Sequence, residues 1–104
     1  MVKALIVCAA GMSSSLIAKK TAALLNEQGF VIEMDAVSVP EGKKLIQDAA
    51  YDLYLVSPQT KMNYQQLADE GAKVGRPVVQ IPPQAYIPIP MGIEKMAALV
   101  KESL

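Results

Sequence analysis

The first apolar run, VKALIVC at residues 2–8, is broken only by Lys3. Its length and its near-continuous hydrophobicity predict a strand covered on both faces, the central strand of a sheet. From Ser13 to Gln28 the period changes. Leu16, Ile17, Ala23 and Leu24 segregate from Lys19 and Lys20 at helical spacing, and Gly29 follows as a stop. FVIEMDAVSV at 30–39 alternates Val31, Glu33 and Asp35 against Ile32, Met34 and Ala36, the pattern of a half-buried edge strand that Pro40 ends. A short, weak helix is expected over 41–50, with Gly42 costing about 1 kcal/mol against alanine. A third strand is expected over 51–57, closed by Pro58. Residues 60–75 then read as an amphipathic helix with Met62, Leu67, Ala68 and Val74 on its apolar side, and 76–81 as a fourth strand. Four of the seven prolines crowd into 82–90, which predicts an extended connector with little regular hydrogen bonding before a last helix over 91–103.

Strand and helix patterns alternate from end to end, without repeats or a linker. Right-handed crossovers then give an α/β fold, one domain over residues 1–104, with a four-stranded parallel open sheet and helices on both faces. A chain of 104 residues suits one compact domain with a real core. With 52% hydrophobic residues against 19% charged, that core is built mainly of Ala, Val, Ile, Leu and Met. Methionines at apolar helix positions read as core filler.

Charge narrows the function. Ten basic and ten acidic residues balance to zero with no basic run, which argues against nucleic acid or an anionic membrane surface as partner. No apolar segment approaches the roughly 20 residues of a membrane span, and the N-terminal apolar run is too short for a secretory signal. A single cysteine forms no internal disulfide, and the cytoplasm is the expected compartment. Without histidine, and with that one cysteine, a zinc site or a catalytic triad has no ligands or base to draw on; no metal or cofactor is expected.

The chemistry concentrates in IVCAAGMSSSL, residues 6–16. Cys8 ends the first strand, where parallel sheets bind their ligands. Ala9, Ala10, Gly11, Met12, Ser13, Ser14 and Ser15 follow, nearly all small, so backbone N–H groups can turn inward while the next helix adds its positive end. That environment favours a thiolate, the reactive form of cysteine, beside a cradle for an anion. Three successive serines exceed what one helix cap needs. Met12 interrupts the small residues and is read as a contact with a partner protein. The plain structural reading is a buried cysteine ahead of an ordinary strand-to-helix turn. Two phosphate motifs are excluded. There is no G-x-x-x-x-G-K-[ST] loop, and position 14, where a cysteine-dependent phosphatase carries its clamping arginine, is serine. A phosphocysteine formed here would persist rather than hydrolyse quickly, as a carrier requires.

ALIVCAAGMSSSLIAKK, together with DLYLVSPQTKMNYQQL further on, resembles the enzyme IIB proteins of the lactose and cellobiose (chitobiose) type of the bacterial sugar phosphotransferase system. The resemblance implies a small cytoplasmic domain with four parallel strands. Cys8 would accept a phosphoryl group from a phosphohistidine on a IIA protein and pass it to a sugar held by a membrane IIC permease. Residues 9–15 would form the phosphate-binding loop, while Pro58, Gln59 and Tyr86 would belong to the docking surface. A β-linked disaccharide is the implied sugar, and a monomer that docks transiently is the default expectation. The chain departs from the family pattern at AYIPIPMG, where Ile87 replaces the usual glycine after the tyrosine. For Tyr86 a ring packed over the loop with its hydroxyl in water is the simpler reading, and Lys19 and Lys20 read as a solvated helix face. Two other classes are carried beside the carrier: a thiol enzyme like the low-molecular-weight phosphatases, and a non-catalytic regulatory module of the same fold.

Overall fold

The computed structural model describes residues 2–9 and 11–104, without the side chains at 11–13. Four strands alternate with four helices: β1 (Val2–Cys8), α1 (Gly11–Glu27), β2 (Ile32–Ser38), α2 (Val39–Gln47), β3 (Leu53–Val56), α3 (Tyr64–Val74), β4 (Val78–Gln80) and α4 (Pro90–Ser103). Two 3-10 segments, Pro58–Asn63 and Pro83–Ala85, precede α3 and α4. The sheet is all parallel, in the order β2-β1-β3-β4. β1 is central as expected, paired along Val2↔Ile32 to Cys8↔Ser38 on one side and Ala4↔Leu53 to Val7↔Val56 on the other.

Strand periodicity divides the core into two layers. Ala4 and Ile6 of β1 point, with Leu53 and Leu55 of β3, into a cluster with Ile17, Ala18 and Leu25 of α1 and Ile93, Met96, Ala97 and Val100 of α4. Leu5, Val7, Tyr54 and Val56 point to the opposite face, against Ile46 of α2 and Leu67 of α3. Burying an Ile or Leu side chain in this way contributes about 1.5–3 kcal/mol, which is why both central strands read as unbroken apolar runs. The chain leaves β1 toward β2 on one side and crosses back to β3 on the other. The topological switch point therefore falls between the carboxyl ends of β1 and β3, where an open α/β sheet leaves a crevice.

Several local expectations are corrected. β2 alternates as read, with Val31, Glu33 and Asp35 exposed and Ile32 and Met34 buried. However, Pro40 sits in the first turn of α2 rather than closing the strand, because that turn makes no use of its missing N–H. α2 also stops at Gln47, earlier than expected. Gly42 is not simply a weak helix residue. A Cβ there would lie 2.8 Å from both methyls of Val7, so glycine lets α2 settle directly onto β1. On α1 the buried face runs through Ser14, Ile17, Ala18, Thr21 and Leu25, while Leu16 and Ala23 face solvent. The helix expected over 60–75 is a 3-10 segment followed by α3, and Met62 stands 90% exposed, as does Met91 at 65%. Of the methionines with described side chains, only Met34 and Met96 fill the core. Residues 82–90 are not purely extended: the amides of Ala85 and Tyr86 donate to the carbonyls of Pro82 and Pro83 in a tight 3-10 turn.

Candidate active site at the carboxyl end of the first strand

Cys8 is the last residue of β1, fully buried, on the side of the sheet that carries α1 and α4. Its thiol donates to the carbonyl of Val37 on the neighbouring strand at 3.4 Å, a long contact suited to sulfur. Ala9 is exposed, and Ala10 lies outside the described residues. Helix α1 begins at Gly11, two residues earlier than the sequence suggested, so residues 11–15 belong to its opening turns and not to an open loop. The amides of that first turn have no partner within the helix and carry the positive end of its dipole to the carboxyl end of β1. The side chains of Met12 and Ser13 lie outside the described residues, and with them the reading of Met12 as a partner contact. Ser14 is fully buried and Ser15 is exposed.

The adjacent end of β3 supplies hydroxyls that sequence reading missed. Ser57, next to Val56, donates its amide to the carbonyl of Val7 at 2.9 Å. Its hydroxyl pairs with that of Thr60 at 3.0 Å, and Thr60 also donates to the carbonyls of Ser57 at 3.2 Å and Val7 at 3.4 Å. Both residues are buried. They tie the turn after β3 to the carbonyl of Val7, next to Cys8. A Ser at the end of an apolar strand, three residues before a Thr, is a pattern of local side-chain to backbone bonding that the sequence displays without revealing its partner strand. Pro58 opens the 3-10 segment and is partly buried, Gln59 is exposed, and both stand on this edge of the sheet. Beside them Pro58, Lys61, Gln80, Ile81, Pro82 and Pro83 line an open cleft of about 380 Å³.

Tyr86 is brought to the same place from the far end of the chain. Its ring is half-buried against the α1–α4 core cluster, and its hydroxyl hydrogen-bonds to the Ser14 hydroxyl instead of standing in water. Burial holds its pKa above the ordinary tyrosine value, the bond to Ser14 opposes that shift, and negative charge at Cys8 adds to it. Lys19 and Lys20 remain exposed on α1, as expected. The chain's one arginine, Arg76, lies before β4 at the opposite end of the sheet, 3.1 Å from Asp52. Among the described residues no group of three or more His, Cys, Asp or Glu side chains could hold a metal ion, and no helix is long and apolar enough to cross a membrane.

A family model described as the PTS system lactose/cellobiose-specific IIB subunit matches residues 3–102, from the start of β1 almost to the end of α4. The chain belongs to this family. It is a IIB component of the phosphotransferase system, a phosphotransferase subunit and phosphoryl carrier, and membership implies IIA and IIC partners. Two solved structures share the fold. The lactose-specific IIB component domain of the phosphotransferase system from Streptococcus pneumoniae superposes with a TM-score of 0.83 at 20% identity, over 98% of this chain and 96% of that one. The cellobiose-specific IIB component protein from Borrelia burgdorferi superposes with a TM-score of 0.73 at 22% identity, over 98% of this chain and 90% of that one. No curated protein sequence matches this IIB chain.

Proposed function

We propose that this IIB component carries its phosphoryl group on Cys8, in the cytoplasm, as a monomer that docks in turn with a IIA phosphohistidine protein and a IIC permease holding a β-linked disaccharide such as cellobiose, chitobiose or lactose. The observation that carries the reading is the placement of the chain's only cysteine at the switch point, against the N-terminus of α1. In the forward step the thiol gives up its contact with Val37 and its proton. The sulfur then attacks phosphorus, the S–P bond forms, the P–N bond to the donor histidine breaks, and the imidazole nitrogen leaves with a proton. In the second step a sugar hydroxyl attacks phosphorus, the S–P bond breaks, the thiolate returns, and a base on the permease side takes the hydroxyl proton. Stabilisation along both steps comes from positioning and from the unpaired amides at the N-terminus of α1. Pro58, Gln59 and Tyr86 border the surface on which partners would dock.

The location of Arg76 speaks against the phosphatase-like alternative. With the guanidinium held by Asp52 at the opposite end of the sheet, no fork clamps the phosphoryl group for attack by water. The test is intact mass spectrometry after incubation with phosphoenolpyruvate and the general and IIA phosphotransfer proteins. One added phosphoryl group is expected on wild type and none on Cys8→Ser. A wild-type chain that gains no mass beside partners shown to be active overturns the carrier reading in favour of a binding module. Sugar identity follows from transfer in permease-containing vesicles offered each disaccharide in turn.

A further inference from the structure

Ser14 and Tyr86 are 72 residues apart in sequence, yet their hydroxyls share a hydrogen bond beside the end of β1. Several independent contacts hold Tyr86 there. Its amide donates to the carbonyl of Pro83, Ala85 before it is fully buried, and its ring packs on the core between α1 and α4. The carbonyl oxygen of Ile87 after it lies only 2.3 Å from where a Cβ at Gly92 would stand, so glycine in the first turn of α4 is what lets the connector come this close. A residue placed so firmly by its neighbours serves as a fixed donor. The phenol is the stronger acid of the two hydroxyls and stays protonated at neutral pH, its pKa being raised by burial. Either hydroxyl can donate in this pair; when the phenol does, the serine proton is left for an acceptor on the other side. A phosphoryl group on Cys8 presents such acceptors, and hydrogen bonds in a chain strengthen one another.

We propose that Tyr86 is a positioning residue for phosphoryl transfer: its hydroxyl orients that of Ser14 toward the phosphoryl group on Cys8, giving a site without a guanidinium a polarised side-chain donor. The proposal rests on Cys8 being the phosphorylated residue. It gives the Tyr86 hydroxyl, turned inward to Ser14 of α1, a role beyond bordering the docking surface.

The test is a rapid-quench measurement of phosphoryl transfer from the phosphorylated IIA protein to wild type, Tyr86→Phe, Ser14→Ala and the double variant, over a range of donor concentrations. Phenylalanine keeps the ring and its packing, and circular dichroism at the assay temperature verifies that all four proteins are folded. Each single variant is expected to lower the saturating rate about tenfold, the size of one hydrogen bond to a charged group. The half-saturating donor concentration should stay unchanged, and the double variant should be no slower than either single one. Unchanged or faster transfer by Tyr86→Phe, penalties that multiply in the double variant, or an effect confined to half-saturation would each overturn the proposal. Failure of the wild type itself to accept a phosphoryl group would overturn the carrier reading beneath it, a result distinct from failure of the variants alone.

Discussion

The two ends of the sheet are built on opposite principles. At the amino end the strands are joined by charge. Lys3 lies 3.8 Å from Glu33 on the adjacent strand, its amide donates to Asp52 at 2.9 Å, and Arg76 reaches Asp52 at 3.1 Å. Tyr51 there donates to Asp35 at 2.9 Å and lies under the Lys3 ammonium. At the carboxyl end the hydrogen-bonding groups around Cys8 are hydroxyls, amides and a carbonyl: the pairs of Ser57 with Thr60 and of Ser14 with Tyr86, the amides opening α1, and the carbonyl of Val37. No ion pair among the described residues reaches that end. The difference teaches how a neutral chain can handle a dianion. A resident carboxylate would repel the phosphoryl group, and a resident guanidinium would hold it too firmly and favour its hydrolysis. On the proposed reading, dipoles and hydroxyls would bind it while leaving it transferable.

Making the carboxyl end resemble the amino end should be the most damaging change. Ala9→Asp places a carboxylate on an exposed residue next to Cys8. Repulsion of a dianion at close range is worth about 3 kcal/mol, so the transfer rate should fall roughly a hundredfold and recover in part at high salt. Stopped transfer assays at two ionic strengths check both statements; an unaffected rate would mean that the phosphoryl group sits elsewhere. Next in size is Gly42→Ala, which forces a methyl against Val7, the neighbour of Cys8. A loss of about 1–3 kcal/mol in urea unfolding is expected, because α2 cannot approach β1 without that space.

At the amino end, Arg76→Met should cost under about 1 kcal/mol, as its pair with Asp52 is partly exposed on both sides, and transfer should run at the wild-type rate. A large loss of activity would show that the two ends are coupled. The smallest effect concerns Tyr51, whose pKa is pushed up to about 12 by burial and by its bond to Asp35. A folded-state pKa above the ordinary value near 10 means that this bond stabilises the protein fully below pH 10 and is lost as pH rises through about 12. Spectrophotometric titration should show a tyrosine component ionising near pH 12 that is lost in Tyr51→Phe, while the upward-shifted Tyr54 and Tyr86 remain.

Much of this was legible in the chain before folding. The central strand, the alternation of β2, the parallel α/β class and Cys8 with its small-residue sequel follow from periodicity and local chemistry, which depend on residues close together in sequence. The resemblance of ALIVCAAGMSSSLIAKK to IIB proteins agrees with the family to which the chain belongs. What the pattern misplaced lies where distant segments meet. Gly42 looked like a defect until Val7 was found against it, and Met62 looked like core until the chain turned 3-10 ahead of α3. Ser57 and Thr60 acquire meaning only from the carbonyl of Val7 on another strand. Tyr86 shows the division most clearly. Sequence placed it in a proline-rich connector with its hydroxyl in water, whereas the packing of α4 on α1 set that hydroxyl on Ser14. Local patterning determines which residues bear chemistry and which elements carry them. Hydrogen-bond partners across 50 or 70 residues are decided by the burial of helix faces, which no short window of the chain contains.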